Sequence, residues 1–259
     1  MSQISIDASE NSVLVGNASG SSSVVLVCEH ASHHIPDSFD GLGLSAEARL
    51  SHAVWDPGAF PVAQELSRLL DATLVSSRVS RLVYDCNRPP SAPDAMPMRS
   101  EVIDVPGNMN LSPSDREART QQYYQPFQLE LQRVVENSTN PIIVTVHSFT
   151  PIYHGALRAV EIGILHDSDT RLADAMMQTA EAHTSTNVQI NEPYGPEHGV
   201  THTLKEHAVK YGHMNVMLEI RNDLIETPEQ QKDMATMVSA WIADACAQTQ
   251  SGEGVQCRA

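Results

Sequence analysis

The fold is decided by residues 141–150, which read PIIVTVHSFT. A run of apolar and β-branched residues between a proline and a polar cluster has the length and composition of a strand that is buried on both faces. This strand ends at His147. Because ligands of open α/β sheets bind just beyond the carboxyl ends of the strands, we expect His147 to lie where chemistry takes place. The alternative is a loop histidine that only makes local hydrogen bonds.

Two other stretches have the same build as this strand. Residues 23–28 (SVVLVC) lead into Glu29 and His30, and residues 215–218 (NVML) lead into Glu219. Such polar side chains are costly to bury unless they are paired. Convergence of the three strand ends on one site would explain why each of them ends in such a residue.

The alternation of patterns along the chain indicates an α/β protein with one main domain. We expect residues 1–22 to be a flexible or strand-adding lead, residues 23–248 to form the catalytic domain, and residues 249–259 to be a polar tail. The expected strands are 23–28, 72–76, 82–84, 141–146, 159–165, 187–190 and 215–220. The expected helices are one opened by Ser45, one carrying Val62 and Leu66 on one face, and those at 112–136, 169–184, 201–210 and 228–248.

Composition narrows the classes of partner and location. The chain has 259 residues with 32 acidic and 16 basic side chains, for a formal charge of -16. This charge repels phosphate backbones and anionic lipids, so we expect neither nucleic acid nor a membrane as partner. A small anionic substrate remains compatible, because exposed charges beyond about 10 Å are screened. Four scattered cysteines, no signal peptide and no apolar run of about 20 residues predict a reduced, cytoplasmic protein.

His30 and His147 are the first candidates for a metal site. Neutral imidazoles held at strand ends suit zinc, and a catalytic zinc takes three protein ligands and leaves a fourth position open. A carboxylate is the expected third ligand. The candidates for this position are Asp56, Glu29, Asp85 and, from the HxxH spacing, His33. A structural cluster of histidine and aspartate is the alternative.

Other polar residues suggest how a substrate is held and attacked. Asn87 and Arg88 precede two prolines, and a stiff turn carrying a guanidinium is suited to gripping a carboxylate in bidentate fashion. Arg81, just upstream, could add a second fork. Glu219 could act as a general base beside a metal. The alternatives are ion pairs, between Arg88 and a neighbouring acid and between Glu219 and Arg221.

A long segment after Arg88 has no periodicity. Residues 91–113 are rich in Pro, Ser, Asp and Met. Loops of this length inside a compact domain are usually functional or mobile. We therefore expect a loop that covers the substrate, with a plain surface excursion as the alternative.

Several of these motifs together resemble the N-formylglutamate amidohydrolase family. The blocks are CEHAS at 28–32, His52 with DPGA at 56–59, SRLVYDCNRP at 80–89, VHSFTP at 146–151 and LEIRNDLI at 218–225. They span most of the chain in the family's order. The family's relation to zinc carboxypeptidases implies a carboxypeptidase-like, phosphorylase/hydrolase-like fold, a three-layer α/β/α domain with a mixed, mostly parallel sheet.

The resemblance also implies roles for single residues. His30 and His147 match the zinc-binding histidines, and Glu219 resembles the catalytic glutamate at a strand end. Asn87 and Arg88 resemble the pair that holds a terminal carboxylate. The carboxypeptidase pattern has glutamate where this chain has His33. Because the DPGA block otherwise lacks a role, the resemblance favours Asp56 as the middle ligand.

Together these inferences predict a zinc-dependent hydrolase that cleaves the amide of an N-formyl or N-acyl acidic amino acid. Glu219 is the expected base, and the metal ligands are His30, Asp56 and His147. The expected substrate-binding residues are Arg88, Asn87, Arg81 and Arg221. One alternative keeps this site but acts as a carboxypeptidase-like peptidase or another N-acyl-amino-acid deacylase. A second alternative, of another class, is a ligand-binding protein that has the fold without catalysis.

Overall fold

A seven-stranded sheet runs through the computed structural model, which describes residues 12–249. The strands are β1 (Val13–Gly16), β2 (Val24–Cys28), β3 (Thr73–Ser77), β4 (Ile142–Phe149), β5 (Ile162–Leu165), β6 (Val188–Ile190) and β7 (Asn215–Arg221). Their spatial order is β1-β3-β2-β4-β7-β5-β6. The strands β3, β2, β4 and β7 are parallel to one another, whereas β1 and β5 pair antiparallel with β3 and β7. The sheet is therefore mixed and mostly parallel, as expected.

Helices cover both faces of this sheet. They are α1 (Ala59–Leu70), α2 (Pro113–Arg119), α3 (Gln125–Asn137), α4 (Arg171–His183), α5 (His202–His207) and α6 (Pro228–Gln248). Side chains of β2 alternate between two apolar clusters: Leu26 packs with residues of α1, α4 and α6, and Val27 packs with residues of α3 and α5. This alternation follows from the two-residue period of a strand. The three-layer α/β/α architecture is thereby confirmed.

Two local expectations were wrong. Residues 82–84 form a buried turn rather than a strand. Their carbonyls are satisfied by distant side chains, since Asn108 Nδ2 donates to Leu82 O at 2.8 Å and Arg119 Nη1 donates to Val83 O at 3.3 Å. No α-helix begins at Ser45. Only a short 3-10 turn forms there, at Ala48–Leu50, and none of its residues is buried.

The segment 91–113 is anchored by several buried residues. Ala95, Met96 and Val105 are buried, and a small hairpin pairs Arg99–Ser100 with Ile103–Asp104. Its role as a substrate cover stays a prediction. Of the expected lead and tail, residues 1–11 and 250–259 lie outside the described residues, while β1 within the lead adds to the sheet edge. None of the helices described between residues 12 and 249 is long and apolar enough to cross a bilayer.

Gly163 allows a loop to approach the sheet beside the ends of β4 and β7. It lies in β5 and pairs with Glu219 of β7. A Cβ atom at this position would lie 1.9 Å from the carbonyl oxygen of Glu192, at the start of the loop that carries Tyr194. Only glycine therefore lets this loop pass close to Glu219.

Replacement of Gly163 by alanine tests this packing. We expect Gly163→Ala to lower the free energy of unfolding by roughly 1–3 kcal/mol, because backbone has to move to accept the methyl group. Gly16→Ala in β1 is the matched control, since its Cβ would meet Leu74 Cβ at an ordinary 3.7 Å. Urea denaturation of both variants is the measurement. Equal midpoints for the two variants would contradict the expectation.

Candidate metal centre

Three strand ends bring acidic and imidazole side chains to one place. His147 of β4 and Glu219 of β7 are direct neighbours in the parallel register. Residues Glu29 and His30 follow β2, which pairs with β4 on its other side. The convergence expected from the three similar sequence stretches is therefore present in the fold.

Three ligand atoms meet at the centre of this group. Nδ1 of His30 lies 3.2 Å from Oδ2 of Asp56, and Nδ1 of His147 lies 2.9 Å from the same oxygen. The two Nδ1 atoms are 3.2 Å apart. All three residues are buried. Within residues 12–249, they are the one group of three or more His, Cys, Asp or Glu side chains able to hold a metal ion.

A tight turn holds Asp56 against the histidines. Its backbone N–H donates to the carbonyl of His30 at 3.1 Å, and Ser148 N–H donates to Oδ2 at 3.3 Å. The following Gly58 adopts φ of 80° at the start of α1, where a Cβ would meet the Ile225 carbonyl at 2.5 Å. The DPGA block therefore positions a candidate ligand: the aspartate presents the oxygen, and the glycine allows the turn.

Two further carboxylates stand behind the histidines. Nε2 of His30 lies 2.8 Å from Asp85 Oδ1, and Nε2 of His147 lies 3.1 Å from Glu29 Oε2. A carboxylate behind a histidine favours the tautomer that carries its proton on Nε2. This leaves the two Nδ1 lone pairs directed at Asp56. Three acceptors at these separations repel one another unless a proton or a metal ion lies among them.

The excess of negative charge in the cluster also favours a bound cation. With neutral histidines, Glu29, Asp56 and Asp85 outnumber the single positive charge of Arg81 by two. Burial would lower the pKa of His147, but Glu29 and Asp56 raise it well above its ordinary value. Burial would likewise raise the pKa of Asp56, yet His30 and His147 hold it well below its usual range. The cluster therefore attracts positive charge, and a divalent cation would balance it.

Glu219 differs from the other carboxylates of the site. It is buried, and its Oε2 atom makes no hydrogen bond. Burial raises the pKa of Glu219 to about 7, against the opposing charge of His147. The side chain therefore provides an unengaged oxygen beside His147, in a position where a proton could be taken up.

The predicted substrate-binding residues have partners within the protein. Arg81 is partly buried. Its Nη2 lies 2.9 Å from Asp85 Oδ2, and its Nη1 lies 3.5 Å from Asp56 Oδ1. Arg88 is buried, and its Nε donates to Asp94 at 2.7 Å. Asp94 itself is about half exposed, so an incoming carboxylate could replace it.

Asn87 and Arg221 are also engaged. Asn87 Nδ2 donates to the Val200 carbonyl at 2.5 Å, and its Oδ1 accepts from Thr203 N–H at 2.9 Å. Arg221 pairs with Asp223 at 2.8 Å and with Glu161 at 3.2 Å. The ion pair with Glu219, which was the alternative to a catalytic role for that residue, is therefore not among the contacts of Arg221. Binding of substrate by these residues stays a prediction.

The alternatives for the third ligand lie elsewhere. Glu29 and Asp85 stand behind the imidazoles, as described above. His33 is exposed, and its ring packs edge-on against Trp55 at 5.0 Å between centroids. A large cavity of about 900 Å³ opens near Ser32 and Arg78, and its lining contains none of the three central ligands.

Sequence reasoning missed two residues near this site. Arg158 Nη1 donates to the hydroxyl of Tyr194 at 3.0 Å. Burial and the negative charge of Glu219 both raise the pKa of the Tyr194 hydroxyl. Both residues lie outside regular strands and helices, and no spacing in the sequence connects them to the histidines.

One protein family and two solved structures are similar to this chain. A family model described as N-formylglutamate amidohydrolase matches residues 22–226. The crystal structure of gene product Atu2144 from Agrobacterium tumefaciens shares 50% identity and a TM-score of 0.91, covering 93% of this chain and 97% of that one. N-formylglutamate amidohydrolase from Ralstonia eutropha JMP134 has a TM-score of 0.69 at 15% identity, covering 92% and 99%, and shows a shared fold. No curated protein matches the chain.

Cation binding at this cluster can be measured by thermal stability. We expect Zn²⁺ added to chelator-treated protein to raise the melting temperature by roughly 5–10 °C at saturating concentration, because the ion binds only the folded state. Asp56→Asn should abolish most of this shift, since it removes one ligand charge. Asp169→Asn, at an ion pair with Arg171 near α4, is the matched control and should keep the full shift. Equal shifts in the two variants would exclude Asp56 as a ligand.

Proposed function

The chain belongs to the N-formylglutamate amidohydrolase family, and from this premise we propose that it is a zinc-dependent enzyme that hydrolyses the N-formyl bond of an acidic amino acid. Membership of the family indicates amidohydrolase activity on a small substrate derived from an amino acid. The metal, the base and the anchoring residues are our proposal. They rest on the geometry of the cluster around His30, Asp56 and His147.

The single observation that carries the proposal is the mutual approach of three lone-pair donors. In a tetrahedral zinc site with bonds of about 2.0–2.1 Å, neighbouring ligand atoms lie about 3.3 Å apart. The three separations among His30 Nδ1, His147 Nδ1 and Asp56 Oδ2 are 3.2, 2.9 and 3.2 Å. The donor set fits a small cation without rearrangement of the fold.

The choice of zinc follows from the ligand types. Two imidazoles and one carboxylate suit zinc, whereas magnesium and calcium prefer oxygen ligands. Three protein ligands are also the number found in catalytic zinc sites, which keep one position open. A zinc ion held here would supply a Lewis acid that polarises the formyl carbonyl and lowers the pKa of water.

Glu219 is proposed to move the proton during hydrolysis. Water adds to the formyl carbon, the C–N bond breaks, and formate and the free amino acid are released. Glu219 Oε2 accepts the proton that water loses and returns it to the departing nitrogen. Its unengaged oxygen and its place beside His147 support this role. Burial raises the pKa of Glu219 to about 7, and a cation held by the neighbouring ligands would favour the ionised form that a base requires.

The substrate carboxylate next to the scissile amide is assigned to Arg88 and Asn87, with Arg81 closer to the metal ligands. Arg88 is paired with the exposed Asp94, which an anion can replace, and its guanidinium also donates to the carbonyls of Asn87 and Gly199. Fixed orientation of the amide over the site lowers the entropic part of the barrier. Arg221 already pairs with two acids, so it is the least available of the predicted residues to bind the substrate.

The role of Glu219 is tested by Glu219→Gln. We expect this variant to keep its zinc and to release formate from N-formyl-L-glutamate about 10²- to 10⁴-fold more slowly, because the amide cannot accept the proton. Glu226→Gln, an exposed carboxylate shortly after the same strand, is the control and should have wild-type activity. Zinc content and initial rates are the measurements. A zinc-loaded Glu219→Gln protein with wild-type turnover would refute the assignment.

Metal removal tests the cofactor. Chelator treatment should abolish formate release, and stoichiometric Zn²⁺ should restore it, since the histidine and aspartate ligands remain in place. Mg²⁺ is the comparison ion and should restore far less activity, because it binds imidazole poorly. Full activity of protein with no detectable metal would disprove the metal-dependent mechanism.

A further inference from the structure

Arg158 is an arginine near the site that the proposed mechanism does not use. It follows the short hairpin formed by Ile152–Tyr153 and Ala156–Leu157, directly after β4. Its backbone is fixed at both polar groups, since its N–H donates to Pro151 O at 2.8 Å and its carbonyl accepts from Arg221 Nη1 at 3.1 Å. The side chain therefore begins from a well-held position.

Aromatic rings surround the guanidinium of Arg158. Its Cζ atom lies 4.3 Å from the ring centroid of Tyr153, 4.8 Å from that of Tyr194 and 5.4 Å from that of Phe149. Cation–π contacts hold a guanidinium in place and leave most of its in-plane N–H groups unused. The Tyr194 hydroxyl takes one of these donors at 3.0 Å. The remaining donors keep the fork geometry that fits a carboxylate.

The lack of an acidic partner distinguishes Arg158 from the other arginines of this region. Arg81, Arg88 and Arg221 each lie within 3.5 Å of at least one carboxylate. Among the described residues 12–249, no carboxylate is within ion-pair distance of the Arg158 guanidinium. This is notable in a chain with 32 acidic and 16 basic side chains. The positive charge of Arg158 is thus held by rings and has no carboxylate partner in the part of the chain that the structure describes.

The aromatic partners place Arg158 on the same side of the sheet as the metal ligands. Phe149 and His147 are two residues apart in β4, so their side chains project from the same face about 7 Å apart along the strand. Tyr194 approaches from the loop that Gly163 admits beside Glu219, and its hydroxyl accepts from Arg158 Nη1 at 3.0 Å. Phe149, whose ring contacts the guanidinium, thus lies on the face of β4 that carries His147.

We propose that Arg158 binds the side-chain carboxylate of the substrate and so makes the enzyme selective for N-formyl derivatives of acidic amino acids. This inference rests on the proposed function of the central cluster. An N-formylated diacid has two carboxylates. Arg88 and Asn87 are assigned the one beside the scissile amide, and the carboxylate at the far end of the side chain requires a second cation. Arg158 supplies it, with the Tyr194 hydroxyl holding the guanidinium in orientation.

The test compares two substrates of nearly equal shape, N-formyl-L-glutamate and N-formyl-L-glutamine. We expect the wild type to prefer the glutamate derivative. Arg158→Gln should lower kcat/KM for that substrate roughly 10- to 100-fold, mainly through KM, because one charge-assisted pair is lost. The glutamine derivative should change less than about threefold, because it forms no such pair. Arg158→Lys keeps the charge but loses the guanidinium fork. Its kcat/KM for the glutamate derivative should therefore lie between those of the wild type and of Arg158→Gln.

The control variant is Arg133→Gln, an exposed arginine paired with Glu130 on α3, which should change neither substrate. Thermal melting establishes that each variant is folded. Equal losses on both substrates would show that Arg158 only supports the fold, and would overturn the inference. A wild type without preference between the substrates would overturn it as well.

A binding measurement separates this inference from the proposed function. Calorimetry of the zinc-loaded protein with L-glutamate and L-glutamine needs no turnover. Tighter binding of glutamate by the wild type, lost in Arg158→Gln, would support the role of Arg158 even if neither formyl substrate were hydrolysed. Equal affinities for the two amino acids would reject it even in an active deformylase.

Discussion

The structure of the site depends on the two carboxylates that stand behind the histidines. Asp85 contacts Nε2 of His30 at 2.8 Å and Glu29 contacts Nε2 of His147 at 3.1 Å, and these contacts leave both Nδ1 atoms facing Asp56. Buried carboxylates are costly unless their charge is balanced. Arg81 balances one of them, and a cation among the three ligands would balance the rest. The same negative charges that orient the three candidate ligands therefore also favour a cation among them.

The fold produces this arrangement through strand register. In a parallel pair, residues at the same level project from the same face, and β4 and β7 place His147 beside Glu219. A shift of one residue in either strand would turn that side chain into the opposite apolar layer. The antiparallel β5 then brings Gly163 next to Glu219, and the missing side chain lets the loop with Tyr194 approach. Thus a ligand, the proposed base and a nearby aromatic ring are all set by positions in one sheet.

The sequence predicted the parts of this structure that follow from local patterns. Apolar runs such as residues 142–146 identify buried strands, and polar residues at their ends identify the site. The pattern failed at residues 82–84, because Asn108 and Arg119, remote in sequence, satisfy carbonyls that would otherwise need a strand partner. The choice of Asp56 came from the family resemblance, since four candidates were equivalent by spacing. Arg158 had no signal at all, because its proposed role rests on rings brought together by folding and on the absence of an acid partner among residues 12–249.

The arrangement of charges separates the binding of the cation from the binding of the anion. The centre is crowded with carboxylates, which attract a metal and repel a dicarboxylate substrate. A positive charge that binds the second substrate carboxylate is most effective where the same acids do not cancel it. Rings can hold a guanidinium without neutralising it, whereas Asp56 and Asp85 take up much of the charge of Arg81. Because a cation at the centre removes the repulsion, binding of metal and of a doubly charged substrate should favour each other, and by linkage this coupling is reciprocal.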